Sequence, residues 1–277
     1  MNRELLTLYG LKWNPFATDV PIESLLTTPA VDSFCRRIEG HLVGQGGFAL
    51  IAGEPGTGKS VALRLLAERL SRTDGLSVAV LTHPSSSLSD FYREMADLFG
   101  ITLIHHNLWL GFKGLRHRWL LHFDDTRTRP ILLVDEAQEV LNAVLTEMRL
   151  LTSTEFDSRA ILSVVLAGDN RLLAKLRSLE LQPIASRIRQ RLVMTRAEPA
   201  ELARLLDHLL EEAGNPALMT AGVKEALVGH AGGNPRALVV MADGLLAAAA
   251  EQDREVLDEK LFIETWGEQA PPGRARR

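Results

Sequence analysis

Residues 53 to 60 run Gly53-Glu54-Pro55-Gly56-Thr57-Gly58-Lys59-Ser60, a complete G-x-x-x-x-G-K-[ST] phosphate loop. Its glycines let the backbone bring N–H groups close to an anion in conformations closed to other residues. Lys59 supplies a point charge for β- and γ-phosphates, and the Ser60 hydroxyl supplies a ligand for Mg²⁺. Val61 continues into a helix-periodic run, whose positive N-terminal end adds to the anion site. The triphosphate-binding set is therefore Gly53, Glu54, Pro55, Gly56, Thr57, Gly58, Lys59, Ser60 and Val61.

A second acidic element lies downstream. The apolar run Ile131-Leu132-Leu133-Val134 ends in Asp135-Glu136, the form of a Walker B element. Asp135 would hold Mg²⁺ opposite Ser60. Glu136, one residue on, is placed to orient or deprotonate the water that attacks the γ-phosphate. A nucleotide kinase needs no such carboxylate, so the pair favours hydrolysis. Asp169-Asn170 ends another apolar run. Arg187, Arg189 and Arg191 form a basic cluster, which reads either as a solvated face or as the source of an arginine finger. Arg236, at the start of a helix-like segment, is a further candidate to touch phosphate.

The elements that must position these residues follow from periodicity. Phe48–Ala52, Leu76–Leu81, Ile131–Val134 and Ile161–Leu166 read as strands. They alternate with helices over Val61–Leu70, Asp90–Phe99, Leu115–Phe123 and Val140–Leu151, and the polar run from Asp124 to Arg129 reads as a turn. Such alternation implies an α/β fold, a parallel sheet covered by helices on both faces. In such sheets ligands bind beyond the carboxyl ends of the strands, where the loop, Asp135-Glu136 and Asp169-Asn170 all fall. From about residue 198 only helices are expected: Glu198–Ala213, Thr220–His230, Pro235–Ala250 and Asp258–Thr265. The domain boundaries read as 1–45 for an N-terminal segment on the ATPase core, 46–196 for the α/β domain, 197–266 for a helical lid and 267–277 for a disordered basic tail.

Composition narrows the class. The chain has 277 residues, 46% of them hydrophobic, and a formal net charge of −4. That charge gives no global attraction to nucleic acid, so any such contact must be local. One cysteine, Cys35, excludes an internal disulfide. The absence of a signal-like or membrane-length apolar run leads to the expectation of a cytoplasmic protein without membrane contact. The paired His105 and His106 do not face one site on a regular element, and no metal beyond nucleotide-associated Mg²⁺ is expected.

With these residues in place, the chain resembles the AAA+ ATPases, and within them the ExeA-like branch. Tyr9-Gly10-Leu11-Lys12-Trp13-Asn14-Pro15-Phe16 is similar to that branch's opening motif, and Val134 to Gln138 and Leu145 to Leu151 continue the likeness. The resemblance implies a P-loop fold with a C-terminal helical lid, with ATP and Mg²⁺ as cofactors. It makes Arg187 the finger acting in trans, with Arg191 in reserve, Asn170 the sensor-1 residue with Asp169 as the alternative, and Arg236 the sensor-2 arginine. It also implies a homo-oligomer. Soluble transposon-encoded members of the TniB, TnsC and IstB kind resemble this chain in lacking a membrane segment, which implies duplex DNA and a transposase as partners. Lys113, Arg116 and Arg118, beside Trp109, are the candidate DNA contacts, although the same residues fit the basic outer face of an ordinary amphipathic helix. The alternative is an ExeA-like protein-assembly or secretion ATPase with no nucleic-acid role.

Overall fold

The computed structural model describes residues 3–101, 108–155 and 157–267. His105, His106 and residues 268–277 of the basic tail lie outside the described residues. The strands are β1 Gly47–Gly53, β2 Leu76–Leu81, β3 Arg129–Val134, β4 Ser153–Thr154, β5 Arg159–Ala160, β6 Ser163–Gly168 and β7 Ile188–Met194. β4 and β5 form a small antiparallel hairpin. The other five make a parallel sheet in the order β2-β3-β6-β1-β7.

Two compact units divide the chain: one comprises Thr27–Pro55 and Lys59–Met194, the other Met1–Leu26, Gly56–Gly58 and Thr195–Arg277. In the sheet unit, alternation along β1 feeds two cores. Phe48, Leu50 and Ala52 pack with Tyr92, Trp119 and Met148, while Ala49 and Ile51 pack with Phe34, Leu63 and Leu66. Burial on both faces explains why the central strands read as unbroken apolar runs. Each fully buried Leu, Ile or Phe contributes about 1.5–3 kcal/mol relative to exposure. Cys35 is buried in the second core, and its burial pushes the thiol up to about 11, so it behaves as a small apolar side chain.

Two of the elements that differ from the pattern-based expectation bear on the candidate residues. The helix expected over Leu115–Phe123 runs from Leu108 to Thr126 and so includes the first part of the run read as a turn. Leu115 and Trp119, one turn apart and buried, anchor it, and its polar end is tolerated beyond that anchor. β7 was hidden inside the arginine cluster. Ile188, Gln190 and Leu192 are more buried than Arg189, Arg191 and Val193, which are exposed along this edge strand. An edge strand tolerates outward charge, which also deters pairing with other chains.

The helical unit contains Pro199–Ala213, Ala221–Ala231, Pro235–Glu251 and Glu259–Trp266. Thr220, Asn234 and Asp258 cap three of these helices with side-chain oxygens. Of the segment 1–45 expected on the ATPase core, residues 27–45 belong to the sheet unit, whereas residues 3–26 belong to this one. Tyr9, Leu11 and Phe16 enter the core formed by Leu206, Leu210 and Leu245. The Lys12 N–H donates to the carbonyl of Ala213 at 2.8 Å, satisfying an orphan acceptor at a helix end. Tyr9 donates its hydroxyl to the Arg254 carbonyl at 2.8 Å. Among the described residues no helix is long and apolar enough to cross a membrane.

Candidate functional site

β6 lies between β1 and β3, with Ala52 opposite Gly168 and Val134 opposite Leu166. The carboxyl ends of these strands therefore bring Gly53, Asp169 and Asp135 side by side, about 5 Å per strand step. The helix Lys59–Ser71 starts directly after the loop. Lys59 is only 6% exposed, and its ammonium donates to the carbonyls of Gly53 at 3.0 Å and Glu54 at 3.1 Å. Those bonds fold the loop around the charge and account for two of its three donors. Gly56 and Gly58 have φ of +84° and +98°, the region that favours glycine. These features fit a triphosphate. Ser60 and Asp135 are the oxygen donors suited to Mg²⁺, which takes few protein ligands and completes its shell with phosphate and water.

Past the end of β3 the chain turns sharply. Glu136 has φ of +48°, a left-handed conformation for a residue with a side chain, and its N–H donates to the Asp135 carboxylate at 2.9 Å. Its own carboxylate accepts a hydrogen bond from the side-chain amide of Gln138. Asp169 caps the helix Asn170–Leu176 by accepting from the Arg171 N–H at 2.8 Å, and Arg171 Nε also donates to it at 2.9 Å. Burial pushes the Asp169 carboxyl up, but the Arg171 hydrogen bonds and the charges of Arg171 and Lys59 outweigh burial and hold it below the ordinary aspartate value. A carboxylate at this strand end is thus already neutralised. Asn170, the first helical residue, is exposed.

Arg187 stands at the other end of the sheet. Ile188 pairs with Phe48, whereas Met194 pairs with Gly53, so Arg187 lies beside the start of β1 and the phosphate loop leaves its end. Six residues of strand separate them, about 20 Å. The Arg187 guanidinium donates to the Pro183 carbonyl at 2.7 Å and forms an ion pair with Asp157 in the β4–β5 hairpin. Arg191, opposite Leu50, is midway along the exposed edge.

In the helical unit, Asn234 caps the helix carrying Arg236 by accepting from the N–H groups of Arg236 at 3.0 Å and Ala237 at 3.3 Å. The Arg236 N–H also donates to the Gly56 carbonyl at 3.2 Å, and the Arg236 residue is exposed. A side chain at Gly56 would meet the Asn234 amide.

The three DNA-contact candidates diverge. Lys113 is exposed, its ammonium 5.0 Å from the Trp109 ring, and Trp109 stacks on Phe112. Arg118 is exposed. Arg116 is instead engaged: it donates to the carbonyls of Leu150 at 3.0 Å and Ser153 at 2.7 Å and lies over Phe112. Its partial burial lowers its pKa.

Pattern reading assigned no role to Gln138, Arg171, Asp157 or Asn234. Asn234 and Arg171 carried local signals, an Asn before Pro at a helix start and an Arg two residues after a capping Asp. Gln138 and Asp157 are joined to their partners only through the fold.

Comparison with known proteins bears on the whole. The family described as AAA domain matches residues 42–176. Over 244 residues the chain is 30% identical to general secretion pathway protein A of Aeromonas hydrophila, covering 87% of this chain. The chain spans 44% of that relative's length. Cdc6p from Pyrobaculum aerophilum shares the fold with a TM-score of 0.73 at 15% identity, over 92% of this chain and 70% of that one. The Aeropyrum pernix ORC1 protein in complex with DNA has a TM-score of 0.70 at 18% identity, over 92% and 68%. The matched domain, the P-loop sheet and the strand-end site thus agree: the chain carries an AAA domain and is an ATPase of the AAA+ type.

Proposed function

We propose that the chain works as an ATP-gated homo-oligomer on duplex DNA, where the assembled form recruits or activates a transposase. The observation that carries the oligomer is the register of β7 on β1. It sets Arg187 about 20 Å from the end of the strand that feeds its own loop, out of reach of the phosphates bound there. Arg187 therefore serves a neighbour's γ-phosphate, and ATP sits at the joint between copies. Within each site Lys59 binds β- and γ-phosphates, Ser60 and Asp135 hold Mg²⁺, Glu136 activates water, and Asn170 senses the γ-phosphate. Arg236 carries the nucleotide state to the lid.

Support for DNA comes from the helix Leu108–Thr126, where the exposed Lys113 lies beside the Trp109–Phe112 stack and Arg118 is exposed on another side of the same helix. A structural neighbour was solved in complex with DNA. Repetition of such a patch around an oligomer sums modest phosphate contacts into useful affinity. The test is sedimentation of the protein with ATP or a slowly hydrolysed analogue, with and without duplexes of increasing length. Nucleotide-dependent assembly that lengthens with the duplex and weakens steeply with salt is expected. A protein that stays monomeric and retains no DNA would end this reading.

A second reading is favoured by the 30% identity to general secretion pathway protein A. There the same oligomer would drive assembly of a protein complex. Assembly and hydrolysis indifferent to DNA, with loss of neither on Lys113→Ala and Arg118→Ala, would favour it.

A further inference from the structure

We infer that Gln138 is a positioning residue that ties the Glu136 carboxylate to the end of β6; this rests on Glu136 being the group that activates water. Gln138 is 8% exposed, and its amide is used at both ends. Its Nε2 donates to the Glu136 carboxylate, and its Oε1 accepts the Asp169 N–H at 3.2 Å. The amide works in one orientation only. Turned over, it would set its carbonyl against a carboxylate and its NH₂ against an N–H. Gly168 makes room for it, since a Cβ there would stand 2.7 Å from Gln138 Oε1.

The surrounding turn is built to hold that amide still. Lys175 donates to the Gln138 carbonyl at 3.1 Å and also to the Val140 carbonyl. The Ala137 N–H donates to the Ala167 carbonyl at 2.8 Å, so the turn after β3 is clamped to β6 twice, once through backbone and once through Gln138. Glu136 needs such support because its backbone occupies the left-handed region, which a non-glycine residue keeps only where its surroundings impose it. The direction of the Glu136 carboxylate is then set by Gln138 and, through it, by the strand end carrying Asp169 and Asn170. Gln138 touches neither nucleotide nor water in this scheme. It couples the place where the γ-phosphate is sensed to the group that activates the attacking water.

Gln138→Glu keeps the shape and the acceptor for the Asp169 N–H but replaces the donor with a carboxylate that repels Glu136. Gln138→Leu removes both bonds. Each variant is assayed for ATP affinity by titration with a fluorescent analogue, for steady-state kcat and KM, and for melting temperature. The expected result is kcat lower by about 10- to 100-fold with ATP affinity and melting temperature of Gln138→Glu unchanged, the mark of a misaimed reacting group. Wild-type kcat in Gln138→Glu would overturn the assignment. Loss of folding or of ATP affinity in both variants would make Gln138 a structural residue and overturn it equally. Glu136→Gln is measured alongside: turnover there would sink the role of Glu136 itself, a failure distinct from that of Gln138.

Discussion

Replacing Arg187 by alanine separates an arginine that completes a neighbour's site from one that merely holds the β4–β5 hairpin. Arg187 sits beside the start of β1, and the phosphate loop leaves its far end, six residues or about 20 Å away. No rotamer spans that gap, so the variant should bind ATP normally. Its turnover should fall by about 10³- to 10⁵-fold, the range for losing a finger, which is about 4–7 kcal/mol of transition-state stabilisation. The ion pair with Asp157 is solvent-exposed, at about a third of the Arg187 side chain and half of the Asp157 one, and contributes no more than about 1 kcal/mol, so melting should change little. The assay mixes Arg187→Ala with Glu136→Gln, each inactive alone. In random equimolar oligomers, an Arg187→Ala site followed by a Glu136→Gln finger donor arises at about one interface in four, so about a quarter of wild-type turnover should return through the heterologous contact. Mixed oligomers that stay silent, or an Arg187→Ala protein that hydrolyses ATP at the wild-type rate, would refute the trans geometry.

Other perturbations read other joints. Gly56→Ala should abolish ATP binding by titration, because the new Cβ would lie 2.3 Å from Asn234 Oδ1 at a φ of +84°; unchanged affinity would contradict the cramped loop. Phe16→Ala should destabilise the helical unit by about 3–5 kcal/mol, seen as a lower denaturant midpoint, since Phe16 is 4% exposed in that core. Asp169→Ala should cost about 1 kcal/mol for the lost cap, whereas Asp169→Asn keeps the cap and loses only the charge. Because the folded Asp169 carboxyl lies below its ordinary value, its stabilisation is fully present above about pH 4 and drains away as pH falls through the folded value. Acid titration of stability should therefore lose that component in Asp169→Asn; identical acid curves for the two proteins would remove the ion pair from the account.

Legibility in the chain tracked locality. The loop at Gly53–Ser60 and the pair Asp135-Glu136 each lie within a few residues, next to apolar runs whose burial needs no knowledge of neighbours. The lid helices were equally plain, because capping residues such as Thr220 and Asn234 and the left-handed Gly214 mark their ends. β7 was missed since Arg189 and Arg191 mask an alternation that only an edge position explains. The Leu108–Thr126 helix was cut short since a polar final turn looks like a break until Leu115 and Trp119 are seen buried together.

What the sequence offered by itself is a set of candidate chemical groups: a backbone able to wrap phosphate, a lysine within it, and two adjacent carboxylates at the end of an apolar run. These follow from residue type and short spacing, which fix local backbone freedom and charge. Which groups meet was decided by the tertiary structure. β6 entered between β1 and β3, so Asp169 came beside Asp135 and Gln138 could bridge the turn to the strand end. β7 paired with β1 in a register that sends Arg187 away from its own loop. The N-terminal residues Tyr9, Leu11 and Phe16 joined the helical core. Such choices rest on strand order and on side chains distant in sequence sharing one core, and periodicity states which face is apolar without stating which partner covers it.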